Sequence, residues 1–223
     1  MTLCLSSVRG RPWADEVYMG GLMRESLVQY IEGDILPRYD GFLDGHDRRH
    51  VETVIRESLY LAREHGADAE MAYVIAAYHD LGIPHGRSTH HLTSAAILVA
   101  DGRLREWFDE EQLQVMKEAV EDHRASADVP PRTLYGCIAA DADHFVEPED
   151  VLRRTILYGK ANYPELTREE QLERAREHVR NKFCYGGYLH FQLNDARSLE
   201  GLARLRELAE DEARFDEICG RYL

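Results

Sequence analysis

The stretch DAEMAYVIAAYHDLGIPHG, residues 68–86, most narrows what this chain can fold into. Met71, Val74, Ile75 and Tyr78 fall at i, i+3, i+4 and i+7, an apolar stripe with the period of a helix. Asp68 stands where an N-cap belongs, and Gly82–Ile83–Pro84 breaks the helix after the His79–Asp80 pair. His79 lies one step further along the stripe, so it points inward from the last turn. A helix with such a face needs other helices to cover it.

The rest of the chain supplies them. Period-3.6 patterns run through most of the sequence, and no strand-turn-strand signature breaks them. Helices are predicted over Trp13–Ile35, Asp47–Glu64, Thr89–Ala100, Glu110–Arg124, Pro131–Val146, Arg168–Lys182 and Ala196–Leu208. Pro131 suits a first helical turn, and Thr167 with Glu170 forms a capping box for the helix that follows. The expectation is an all-α bundle of eight or nine helices in a single domain over residues 1–223.

Charge and composition narrow the partners. With 41 Asp+Glu against 27 Lys+Arg, the net charge is −14, which argues against long nucleic acid. A local basic pocket for one phosphate remains compatible with that balance. No apolar run reaches membrane-spanning length, and the first residues, MTLCLSSVRGRPWADEV, lack a signal-peptide core. The four cysteines are scattered and form no CxxC pair, so a cytoplasmic protein with free thiols is expected.

Four inward-facing helices each carry a residue able to hold a metal. These are His50, the pair His79–Asp80, His123, and the acidic group of Asp141 and Asp143. Between them lies a histidine-rich loop with His85, His90 and His91. Imidazole and carboxylate without thiolate suit catalytic Fe, Mn, Co, Ni or Zn rather than a closed structural zinc.

The stretches GHDRRHVETV, AAYHDLG and AADADHF, in that order, resemble the HD-domain metal-dependent phosphohydrolase superfamily, whose signature is H…HD…D on an all-α bundle. The resemblance covers about residues 45–146, with the helix over 13–35 and helices over 149–223 packed on that core. It implies that His50, His79, Asp80 and Asp143 bind one metal. Asp141 is a rival to Asp143 because periodicity puts it inward too. The resemblance favours Asp143, directly before the basic His144. Some members add two histidines and hold a second metal, with the HD aspartate bridging. His90, with His91 as its alternative, and His123 stand in those positions.

The activity so implied is hydrolysis of a small-molecule or nucleotide phosphoester, with His79 and Asp80 at its catalytic centre. Two metals clamp the phosphoryl group and activate a water. A basic side chain should grip the remaining phosphate oxygens. Arg124 is the first candidate, then Arg87 and Lys160; Arg49 and Arg132 are weaker ones. His46 reads as a supporting group one helical turn from His50, and His85 as a loop residue. His65, His178 and His190 read as unrelated to the site, and KFCYGGYLHF (182–191) as a packed turn rather than a pocket wall. Two other functions remain open. A di-iron oxygenase of the HD type would show bound iron and O₂ consumption. A binding module that holds metal without turnover would keep its ligand unhydrolysed. The ordered set H-HD-H-H-D favours two metals per chain.

Overall fold

The computed structural model describes residues 23–42, 45–124 and 129–223. Among these residues there are ten α-helices and no strand. They are α1 (Glu25–Tyr30), α2 (Arg48–Glu64), α3 (Ala69–Tyr78), α4 (His90–Ala100), α5 (Glu110–Asp122), α6 (Leu134–Asp143), α7 (Pro148–Asn162), α8 (Arg168–Phe183), α9 (Ala196–Glu210) and α10 (Glu212–Gly220). None of the helices is long and apolar enough to cross a membrane.

Helix starts follow their capping chemistry. Asp47 accepts from the His50 N–H at 3.0 Å, and Asp68 accepts from Glu70 and Met71 at 2.8 and 3.1 Å. Reciprocal capping boxes open α5 (Asp109, Gln112) and α8 (Thr167, Glu170). Two expectations need correcting. The helix at 131–146 begins only at Leu134, because Thr133 takes the N-cap and accepts from Gly136, leaving Pro131 outside. Of the helix expected over 13–35, the part before residue 23 lies outside the described residues. The remainder is α1 followed by a wider π turn at Ile31–Ile35 and a 3₁₀ turn at Leu36–Tyr39. Pro37 has no N–H to offer the Gly33 carbonyl, so the α-register cannot continue there.

The helices bury two apolar clusters. The first, from Leu27 to Ala142, is built by α1–α6. At its centre is α3, in which every residue from Glu70 to Tyr78 is buried. The one carboxylate in that run, Glu70, accepts from Arg24 Nε at 2.7 Å. Burying a side chain such as Ile55 or Ile75 contributes roughly 1.5–3 kcal/mol, which is why the stripe dominates. The second cluster runs from Val146 to Cys219 and is built by α7–α10.

Polar contacts join the two bundles. Asp141 on α6 accepts from the backbone N–H groups of Gln192 and Leu193 at 2.8 Å each. Tyr60 donates to Asp195 at 3.1 Å, and Arg197 pairs with Glu57 at 3.3 Å while lying over the Tyr60 ring. A cavity opens along this seam.

Candidate metal centre

Helix ends build the site. His50 sits in the first turn of α2, set by the Asp47 cap. His79 and Asp80 follow the last turn of α3, His90 opens α4, His123 closes α5 and Asp143 closes α6. Gly82 lets these ends meet. A Cβ there would press on the His90 carbonyl and lie 2.7 Å from the Ser94 nitrogen. Without one, Gly82 N donates to Ser94 Oγ at 2.8 Å and ties the HD turn to the start of α4.

Three of the histidines are oriented in the same way. The Nδ1 atoms of His79, His90 and His123 donate to the carbonyls of Ala76, Arg87 and Val120 at 2.7, 2.7 and 2.6 Å. A carbonyl only accepts, so Nδ1 carries a proton in each ring and Nε2 is the atom turned to the cluster. Those Nε2 atoms converge. His90 and His123 face each other at 3.1 Å, and His79 faces His50 Nε2 at 3.4 Å. Asp80 divides its carboxylate between the two pairs. Its Oδ2 is 3.3 Å from His79 and 3.8 Å from His50, and its Oδ1 is 3.3 Å from His90 and 3.8 Å from His123. Asp143 Oδ1 completes the first pair at 3.0 Å from His50 and 3.7 Å from His79. Two ligand groups, His50–His79–Asp143 and Asp80–His90–His123, are therefore each compact enough to hold one ion.

A model of the HD domain family matches residues 48–146. Those residues are an HD domain. Its fold is shared with a Lactobacillus plantarum protein whose crystal structure was determined by structural genomics. The two are 18% identical, with a TM-score of 0.59 over 84% of this chain and 95% of that one. No curated protein matches the chain.

The donor set of the HD domain fits divalent metal. Bare nitrogen lone pairs 3.1 Å apart repel unless a cation lies between them. At His123, His90 and His50 protons serve poorly. Burial pushes His123 down to about 4 and lowers His90 and His50 against the pull of the carboxylates. At His79 burial also opposes charge, but Asp80 and then Asp143 outweigh it and raise the pKa to about 9. Burial works against the Asp80 and Asp143 charges as well. His79 and His46 nevertheless hold Asp80 far below the usual carboxylate range, and His144, His50 and His79 do the same for Asp143.

The HD domain also separates the rival residues. Asp141 is buried but turns to the 192–193 backbone, and it does not join the histidines. His90 joins them; His91 points elsewhere, its Nδ1 buried without a hydrogen-bond partner among the described residues. His46 reaches the cluster, with Nδ1 2.5 Å from Asp80 Oδ2, and forms a third potential ligand group with His50 and Asp80. Its place one turn before His50 is the signal in the sequence. His85 lies in a 3₁₀ turn outside the cluster.

The cluster opens into a cavity of about 440 Å³ lined by both bundles. Arg87 and Arg124 stand on its wall, the latter donating to Ser88 O at 2.9 Å. Lys160 does not. Its Nζ is spent on the carbonyls of Tyr222 and Leu223, 2.9 and 3.2 Å away. Arg132 is held by Glu121 and Asp122 outside the cavity. Arg49 pairs with Asp150 at 3.6 Å beside a smaller cavity of about 240 Å³ that also reaches His50 and Asp143. The C-terminal bundle contributes more than its sequence pattern suggests. Arg154, Arg174, His178 and Lys182 line the large cavity, as do Phe183 and Tyr188 of the stretch expected to be a packed turn.

Proposed function

We propose that this chain is a metal-dependent phosphohydrolase acting on a small-molecule or nucleotide phosphoester, with two divalent ions at its centre. HD domains are typically metal-dependent hydrolases. The observation that carries the reading is the division of Asp80 between two histidine pairs at the floor of a cavity with basic walls. His50, His79 and Asp143 would hold one ion and His90 and His123 the other, with Asp80 shared. Divalent ions bound there would supply a water acidic enough to ionise near neutral pH, and positive charge against the phosphoryl oxygens.

The chain's own groups do the rest. His46 holds the Asp80 carboxylate in place at 2.5 Å. Backbone carbonyls fix three imidazoles in one tautomer, so their Nε2 atoms need no rearrangement. Arg87 and Arg124 orient the ester. A cavity of about 440 Å³ takes a ligand of nucleotide size. Cys137, Cys184 and Cys219 are free thiols, which suits a cytoplasmic setting.

A di-iron oxygenase is the second reading, because the same nitrogen and oxygen donors suit iron. Elemental analysis of the full chain, followed by phosphate release from a panel of phosphoesters with and without added Mn²⁺, tests both. Metal-dependent release that His79→Ala and Asp80→Ala abolish supports the phosphohydrolase. Iron with O₂ uptake and no phosphate release would replace it with the oxygenase.

A further inference from the structure

The wall opposite the His/Asp cluster is cationic beyond what one phosphate requires. On α8, Arg174, His178 and Lys182 recur at i, i+4 and i+8, a single stripe that faces the cavity. From the histidine loop, Arg87 reaches the same space and lies over the Tyr158 ring of α7 at 5.2 Å. The carboxylates on the cavity wall are Asp80 and Asp143, both within the cluster. Arg154 is paired with Asp150 at 3.0 Å. Among the described residues, no carboxylate lies within ion-pair distance of Arg87, Arg174 or Lys182. The chain's net charge is −14, yet among the described residues that wall carries no acid.

This arrangement is costly without a ligand. Burial above all, with repulsion from Arg154 and Arg87 added to it, outweighs the pull of Asp143 on the Lys182 ammonium and brings its pKa down to about 8. His178 is water-accessible through the cavity yet hemmed in by protein. Desolvation, then Lys182, Arg174 and Arg87, hold it neutral with a pKa of about 4. Like charges gathered in a confined space and left unpaired weaken a fold unless an anion joins them.

Arg174 is placed firmly rather than left to wander. Its guanidinium bonds the Thr155 carbonyl and the Gln171 side chain across Gly159, where any Cβ would collide with it. Lys182 is the member of the stripe that feels Asp143. Arg174 begins the stripe eight residues earlier, roughly 12 Å along the helix at 1.5 Å per residue. A phosphate held at the cluster therefore leaves the Arg174 end of the stripe without an anion.

We infer that Arg87, Arg174 and Lys182 form a second anion subsite, so that the cavity's ligand carries two phosphate-type groups, one at the His/Asp cluster and one against α8. This rests on the phosphohydrolase reading for the first group and narrows the substrate class to bisphosphates and diphosphates.

Calorimetric titration of the metal-loaded full chain with methylenebisphosphonate and with methylphosphonate tests it. The two-anion probe should bind roughly tenfold tighter or more, the size expected of added charge-assisted hydrogen bonds. Arg174→Met and Lys182→Met should each collapse that ratio towards unity, an effect general loosening of the fold would not produce. Equal affinity for both probes in the wild type, or an unchanged ratio in both variants, overturns the subsite. His79→Ala separates the two claims. If it leaves both affinities intact while the ratio still depends on Arg174 and Lys182, the cluster reading fails and the subsite stands.

Discussion

The Nε2 atoms of His90 and His123 face each other 3.1 Å apart, while both Nδ1 protons are committed to backbone carbonyls. Two lone pairs at that separation are stable around a shared cation. His90→Ala and His123→Ala should therefore each lower bound metal from about two ions per chain to about one, because His50, His79 and Asp143 are untouched. Elemental analysis against protein concentration reads this directly. Retention of both ions in both variants would remove these histidines from the ligand set.

Asp141 and Asp143 should fail in opposite ways. Asp141 accepts two backbone N–H groups, and Asn would turn an amide against one of them, costing about 1–3 kcal/mol. Asp141→Asn should lower the melting temperature and keep metal affinity. Asp143→Asn should do the reverse. Paired thermal melts and metal titrations distinguish them, and identical behaviour in both assays would contradict the assignment.

Lys182 gives a pH signature. Its folded pKa is about 8 against an ordinary 10.5, so in the unfolded chain it holds its proton to higher pH. Below about pH 8 both states are protonated and the folded state bears the whole penalty of the confined charge. Between about pH 8 and 10.5 the unfolded state binds more protons, and this penalty fades as pH rises. Lys182→Met should thus be more stable than wild type at pH 7, with the gap closing by about pH 10. Urea melts at both pH values measure it; a gap independent of pH would show that the lysine is not confined.

Gly82→Ala should disturb α4 first. The added methyl presses on the His90 carbonyl and the Ser94 nitrogen, so the start of α4 has to move and His90 with it. Loss of one metal, with a stability cost of about 1–3 kcal/mol, is the expected outcome. Full metal occupancy by elemental analysis would show that His90 does not depend on this contact.

Much of the fold is legible in the amino-acid sequence. The caps at Asp68 and Thr167 and the inward stripe of α3 are all local patterns, and the helices they mark form within a few residues of their expected bounds. The convergence of His50, His79, Asp80, His90, His123 and Asp143 is legible too, because each lies at a helix end on an apolar face. Three expectations differ from the structure in a consistent way. Lys160 reads as free for substrate but is bound to the backbone oxygens of Tyr222 and Leu223. His178 and the 182–191 stretch read as remote from the site but line the cavity.

What the sequence determined by itself is therefore the helical elements, their caps and their buried faces, since these depend on neighbours within about one or two turns. Tertiary structure decided what each inward residue meets. Asp141 and Asp143 are both plausible from periodicity. Their fates diverge because backbone 51 and 52 residues further on comes to satisfy Asp141 and leaves Asp143 to the histidines. The basic stripe of α8 reads as a solvated face in isolation. It becomes a cavity wall only because the second bundle packs over the mouth of the HD domain, a contact that no local pattern encodes.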